Sequence, residues 1–246
     1  LSYMQYVADR AGKIILECLN EGLRTDYKPD GTVVTNADLR VRDFVQESFQ
    51  KEFYDCGLLT EESRDKKERL QRDKIIIVDE IDGTSSFREG GKDYSFQCAY
   101  VEDGIPMIGV INEPHKGRMF TAIRGGKAYL IKDGERGELP SLDKVTLAEV
   151  KAGHHRNNGF HQYRRLYEAL GIQRDRILMT GSMGTRMLQT AMQETHLILG
   201  LTRQLKEWDI AAGHVILEAL GVSVTDLYSG ELIYNKPNPI TERGIL

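Results

Sequence analysis

Cysteine is scarce: three in 246 residues, Cys18, Cys56 and Cys98, an odd number with no C-x-x-C spacing. That excludes a disulfide framework and fits buried thiols in a reducing compartment. The six histidines form no H-E-x-x-H pattern and no Cys/His cluster, so zinc chemistry is not expected. No stretch approaches the roughly 18 consecutive apolar residues that span a bilayer, and the opening LSYMQYVADR lacks the basic-then-apolar plan of a secretory leader. No membrane partner is expected, and the setting is read as cytoplasmic. Positive charge is not in excess either: 33 Lys plus Arg face 37 Asp plus Glu, a formal net charge of -4. The cations are scattered rather than blocked, which argues against a nucleic-acid polymer as partner. No low-complexity tract or internal repeat is present, so fibrous and disordered classes are excluded.

What is there reads as a mixed α+β, α/β protein. Apolar residues at helical spacing predict helices over 3–19 and 37–53. The run Ile75–Val78 predicts a buried strand, and Tyr94–Val101 with Ile105–Ile111 a hairpin turning at Asp103 and Gly104. Strands at Arg118–Ile123 and Ala128–Ile131 extend the sheet. A polar segment, Lys132–Pro140, is the expected boundary between an N-terminal metal-binding half, 1–140, and a C-terminal half, 141–246, that completes the site. In the second half, helices near 160–170, 185–193 and 210–220 alternate with strands at 177–179, 196–201 and 222–225.

The chemistry centres on IIIVDEIDGTSSF, residues 75–87. A buried strand delivers Asp79 and Asp82 to its carboxyl end, where ligands bind in α/β sheets. Two carboxylates about 4 Å apart repel by several kcal/mol at an effective dielectric near 20, so a site gathering them needs a counter-charge, most simply a divalent cation. The amides of the following Gly83-Thr84-Ser85 turn can face a phosphate; Asp-Gly is also ordinary turn chemistry. A phosphatase with a covalent aspartyl nucleophile in D-x-D-G-T would need Asp where Glu80 stands, and a longer side chain misplaces the attacking oxygen. Glu61 and Glu62 form an acidic patch that could equally be a solvated loop. Asp38 stands at the capping-box position after Thr35, and Asp209 opens a helix, so both also have structural explanations.

The order V-T-x-A-D, E-E-S, D-x-I-D-G-T-x-x-F and W-D-x-A-A-G resembles the inositol monophosphatase superfamily of magnesium-dependent, lithium-sensitive phosphatases. The hairpin motif Asp103-Gly104-Ile105-Pro106 and the Gly181-Ser182 loop extend the resemblance over nearly the whole chain. It implies a layered α-β-α-β-α sandwich, a homodimer, and two or three Mg²⁺ ions per site. By resemblance, Glu61, Asp79 and the Ile81 carbonyl hold the first ion, and Asp79, Asp82 and Asp209 the second. Thr84, hydrogen-bonded to Asp38, orients the attacking water, with Glu61 also counted as catalytic. Gly83, Thr84 and Ser85 receive the phosphate.

The chain departs from the family pattern at Glu80, usually Pro, and at Thr60, usually Gly, neither of them an expected metal ligand. Thr202 stands where inositol monophosphatases place an acidic residue for an inositol hydroxyl. The stretch Glu207-Trp208-Asp209, Ala211-Ala212-Gly213-His214, then Tyr234-Asn235, looks more like the CysQ branch of 3'(2'),5'-bisphosphate nucleotidases, with Arg186, Arg203 and Lys206 as cations for a second phosphate. The expected activity is hydrolysis of a small phosphorylated metabolite, adenosine 3',5'-bisphosphate first, inositol 1-phosphate as the alternative. The rival of another class is a non-catalytic phosphate-binding scaffold. His154-His155-Arg156 could line the substrate mouth, with an exposed loop the preferred reading, and Met179, Met183, Met187 and Met192 are read as core filler.

Overall fold

Met4, Val7, Ala8, Ala11, Ile15 and Cys18 recur every three or four residues, and their stripe is the buried face of α1, Ser2–Glu21. The computed structural model describes residues 1–28, 31–156, 160–200 and 205–246. A small antiparallel hairpin follows, β1 (Thr25–Tyr27) with β2 (Val33–Thr35). It leads directly into α2, Asn36–Glu52, whose start is closed by a capping box. The Thr35 hydroxyl accepts from Asp38 N, and Asp38 Oδ2 accepts from Thr35 N at 2.7 Å.

Seven strands then make one sheet in sequence order: β3 (Gly57–Thr60), β4 (Lys74–Asp82), β5 (Ser95–Glu102), β6 (Ile105–Glu113), β7 (Arg118–Ile123), β8 (Ala128–Lys132) and β9 (Glu135–Glu138). Only β3 and β4 pair in parallel; every other neighbour is antiparallel. The β5–β6 hairpin turns at Asp103 and Gly104, both at positive φ (52° and 77°), the backbone twist that two-residue hairpins favour. The short helix α3, Thr84–Arg88, sits at the end of β4. A second sheet, all parallel, has the order β11 (Ile177–Thr180), β10 (Ala152–His155), β12 (Leu197–Ile198). Its connections carry α4 (Phe160–Ala169) and α5 (Met183–Ala191), and α6 (Glu207–Ala219) follows.

Strand alternation sorts the large sheet into two faces. Ile76, Val78, Phe96, Cys98 and Val110 pack with α1 and α2. Ile75, Ile77, Ala99, Val101 and Ile111 pack with α5 and α6. The small sheet lies beyond α5, and Tyr163 and Tyr167 of α4 close its outer face with Ala152 and Ile177. The layers are therefore α-β-α-β-α, as expected. Met183 and Met187 are buried core residues, and Met179 and Met192 pack partly buried against it.

Some expected elements differ. The polar stretch 132–140 contains β9, so the large sheet runs on to Glu138. No strand forms at 222–225: Thr225 exchanges backbone hydrogen bonds with Leu246 alone, one pair and no ladder. The strand expected over 196–201 is only Leu197–Ile198, and Leu201 lies outside the described residues. His154 and His155 are not an exposed loop but the end of β10, with His154 buried. Among the described residues, no helix is long and apolar enough to cross a membrane.

Candidate active site

Asp79 and Asp82 are three residues apart, and in a regular strand they would point to opposite faces. The β4–β5 register resolves this: Asp79 faces Gln97 and Asp82 faces Ser95, so three steps on β4 oppose two on β5. One extra residue is bulged into β4. Gln97 and Ser95 share a face of β5, and the bulge therefore brings both aspartates to one side of the sheet. Asp209 joins them from the first turn of α6, where its carboxylate accepts from the Lys206 backbone N–H. Carboxylate oxygens of Asp79, Asp82 and Asp209 lie within 4.8 Å of one another.

They line a cavity of about 230 Å³ together with Glu61, Ile81, Gly83, Thr84, Ser85, His155 and Gly181. Gly83 has φ 90°, and a Cβ there would lie 2.6 Å from the Asp93 carbonyl, so only glycine lets α3 begin at this point. Glu61, next after β3, is drawn toward Lys28 of the β1–β2 hairpin; Lys28 Nζ is 3.5 Å from Glu61 Oε1 and 2.7 Å from Glu62 Oε1. Lys28 carries no motif in the sequence; only the folding of the hairpin brings it here.

The electrostatics are those of crowded acids. Burial pushes the Asp79 carboxyl well above the usual range, and the charges of Glu61, Asp82 and Asp209 add to it. Asp209 is raised likewise, by burial and then by Asp82 and Glu61. Glu61 rises to about 7 through burial, with Lys28 opposing and Glu62, Asp38 and Asp82 adding. Asp82 is raised by burial too, against the opposing pull of Ser182, Gly184 and Met183 as donors and of the Arg186 charge. Both oxygens of Asp79 are buried without a hydrogen-bond partner. A set of oxygen-only donors with unpartnered buried carboxylate atoms fits a hard divalent cation and does not suit a thiophilic metal.

Two expectations about this site change. The Thr84 hydroxyl donates to the Ile81 carbonyl at 2.9 Å, not to Asp38. Asp38 Oδ2 is taken by the Thr35 amide and hydroxyl (2.7 and 2.6 Å), because the capping box claims it first, while Asp38 Oδ1 is buried and unpartnered. Burial raises the Asp38 carboxyl to about 6. Of the three expected cations, Arg186 is buried in α5 outside the cavity lining, Lys206 precedes α6, and Arg203 lies outside the described residues. Glu80 is fully buried with both oxygens unpartnered; its strand position shares the face of Ile76 and Val78, and Thr60, the other departure from the family pattern, acts on its carboxyl.

A five-layer sandwich with a carboxylate cluster at the end of β4, beside a glycine-initiated helix, is a frame that suits a metal-assisted phosphatase. Comparison with known proteins gives the family. The sequence profile of the inositol monophosphatase family matches residues 2–244, and the chain belongs to that family of phosphoric monoester hydrolases. It is 30% identical over 206 residues to a histidinol-phosphatase of Mycobacterium tuberculosis, covering 83% of this chain and 78% of that protein. It is 25% identical over 232 residues to the 3'(2'),5'-bisphosphate nucleotidase CysQ of Aggregatibacter actinomycetemcomitans, covering 94% and 85%. The crystal structure of the extragenic suppressor protein suhB from Bartonella henselae superposes with TM-score 0.82 at 24% identity, over 97% of this chain and 92% of that one.

Proposed function

We propose that the chain is a Mg²⁺-dependent nucleotidase that removes the 3'-phosphate of adenosine 3',5'-bisphosphate, acting as a homodimer in the cytoplasm. Glu61, Asp79, the Ile81 carbonyl, Asp82 and Asp209 would hold two or three Mg²⁺ ions. When bound, the ions neutralise the phosphate and lower the pKa of water, the help that phosphate monoester hydrolysis demands.

The chain's own groups do the rest. The amides of Gly83, Thr84 and Ser85 orient the phosphate. With its proton committed to the Ile81 carbonyl, Thr84 Oγ1 can only accept from a water, which fixes the direction of attack. Glu61, a carboxylate of the cavity wall steadied by Lys28, is the catalytic acid-base group beside that water. Asp38, outside the cavity lining with Oδ1 buried and unpartnered, acts on Glu61 through its charge.

The substrate choice rests on Arg186. Its side chain is 3% exposed, and among the described residues its one hydrogen bond runs from Nε to the Ser182 carbonyl at 3.4 Å. No carboxylate pairs with it there, although the Asp82 and Asp209 charges act on it and its own charge acts on His155 of the cavity wall. Although outside the cavity lining, this buried charge, which no described carboxylate pairs with and which acts on His155 of the wall, suits the second phosphate of a bisphosphate. The relationship to CysQ supports the same substrate class.

The test compares kcat/KM for adenosine 3',5'-bisphosphate, inositol 1-phosphate and L-histidinol phosphate in wild type and Arg186→Met. A charge-assisted contact worth on the order of 1.5 to 3 kcal/mol gives about 10- to 100-fold preference for the bisphosphate. Arg186→Met should erase it and spare the monophosphates. Higher kcat/KM for either monophosphate in the wild type would reject this substrate.

A further inference from the structure

Asp82 is the best-held carboxylate of the cluster, and its two oxygens are held unequally. Oδ2 accepts from Ser182 Oγ at 2.6 Å, from Gln97 Nε2 at 2.8 Å and from the Gly184 N–H. Oδ1 accepts only from Met183 N, at 3.2 Å. Three of these donors belong to the N-terminus of α5; the fourth, Gln97, comes from the large sheet. Gln97 is fully buried, and its place opposite Asp79, across the bulge, aims its amide at Asp82. The approach is tight: a Cβ on Gly184 would stand 2.6 Å from Gln97 Nε2, so glycine there is what lets α5 and Gln97 converge on the same oxygen.

We propose that Gln97 is a positioning residue for the metal centre, which with Ser182 saturates Asp82 Oδ2 and so leaves Oδ1 as the oxygen that faces a divalent cation. Four donors converge on a rotatable carboxylate and stop it turning. Without Gln97 the carboxylate is held only by the donors at the N-terminus of α5. A neighbour that orients a ligand in this way typically changes metal affinity about 10- to 100-fold when removed. The inference rests on the metal reading of the cavity.

The experiment is direct Mn²⁺ binding, by electron paramagnetic resonance, to the full chain and its Gln97→Met, Gln97→Asn and Ser95→Ala variants. Methionine conserves volume and removes the donor; asparagine keeps the amide but falls one methylene short. Both should bind Mn²⁺ about 10- to 100-fold more weakly, while KM for substrate at saturating metal stays unchanged. Ser95→Ala, which removes a buried hydroxyl with no partner on the same face of β5, should bind as wild type. Melting in chelator identifies a misfolded variant, and the Gln97 variant that still folds then decides. Wild-type Mn²⁺ affinity in a folded Gln97 variant would overturn the proposal. A wild type that binds no Mn²⁺ would instead overturn the metal site, and this inference with it.

Discussion

Replacing Asp209 by asparagine should stabilise the metal-free protein and abolish its response to Mg²⁺. Two ionised carboxylates 4.8 Å apart repel by about 3.5 kcal/mol at an effective dielectric near 20, and Asp209 faces two of them. Water in the cavity screens part of this, and protonation relieves more, so about 1 to 3 kcal/mol is expected at pH 8 in chelator. The asparagine oxygen can still accept from the Lys206 N–H, so the first turn of α6 keeps its cap. For a chain of this size that gain raises the melting temperature by roughly 2 to 12 °C. The sign follows from the raised carboxyl of Asp209: below its ordinary range the group is protonated in both states, and its cost appears only as pH rises. The gain should therefore shrink at pH 5. With Mg²⁺ at about 100 times its dissociation constant, the wild type should gain about 2.7 kcal/mol and the variant little. Calorimetric melting at pH 5 and pH 8, with chelator and with Mg²⁺, reads all of this. A variant less stable than wild type in chelator at pH 8, or one that Mg²⁺ stabilises equally, would refute the crowded-acid account.

Asp82→Asn should behave oppositely in chelator, losing about 1 to 3 kcal/mol in urea titration, because three donors converge on an oxygen that becomes half of an amide; an unchanged midpoint would contradict the hydrogen-bond assignment. Thr84→Ala should lower kcat by about 10² to 10⁴ while changing Mg²⁺ affinity far less, since its hydroxyl donates to the Ile81 carbonyl and to none of the clustered carboxylates; a matching loss of metal affinity in calorimetry would count against that role. Mg²⁺ affinity itself should rise between pH 6 and pH 8, because Glu61, raised to about 7, must lose its proton before it can serve. A flat profile would remove Glu61 from the site.

Much of the fold is legible in the residues. The stripes of α1 and α2, the Thr35-x-x-Asp38 cap, the run into Asp79 and the Asp103-Gly104 turn each carry a local signal that tertiary structure did not override. The missing pieces lack such signals. All three residues of β1 and all four of β9 are exposed, so neither alternates. β10 reads Ala-Gly-His-His, with no β-branched residue to mark it. The site was readable as an inventory of acids but not as an arrangement. The bulge that turns Asp79 and Asp82 to one side is a property of β4–β5 register, and apolar periodicity does not encode it. The donors on Asp82 from Gln97 and Ser182, and Lys28 beside Glu61, come from positions 15, 100 and 33 residues away in sequence, where spacing says nothing. Thr84 turned to Ile81 because a hydroxyl three residues on from a carbonyl at a helix start satisfies it locally.

The central claim, that the carboxylate cluster at the end of β4 is a metal-dependent phosphatase centre, is tested most directly by one titration. Inorganic phosphate released from adenosine 3',5'-bisphosphate is measured against free Mg²⁺ for the wild type and Asp79→Asn side by side. The account predicts release that saturates with Mg²⁺ and vanishes in chelator for the wild type, and a rate at least about 10³-fold lower for the variant at every Mg²⁺ concentration, as expected when the ligand of both ions loses its charge. Release that persists in chelator, or that is equal in the two proteins, would contradict it.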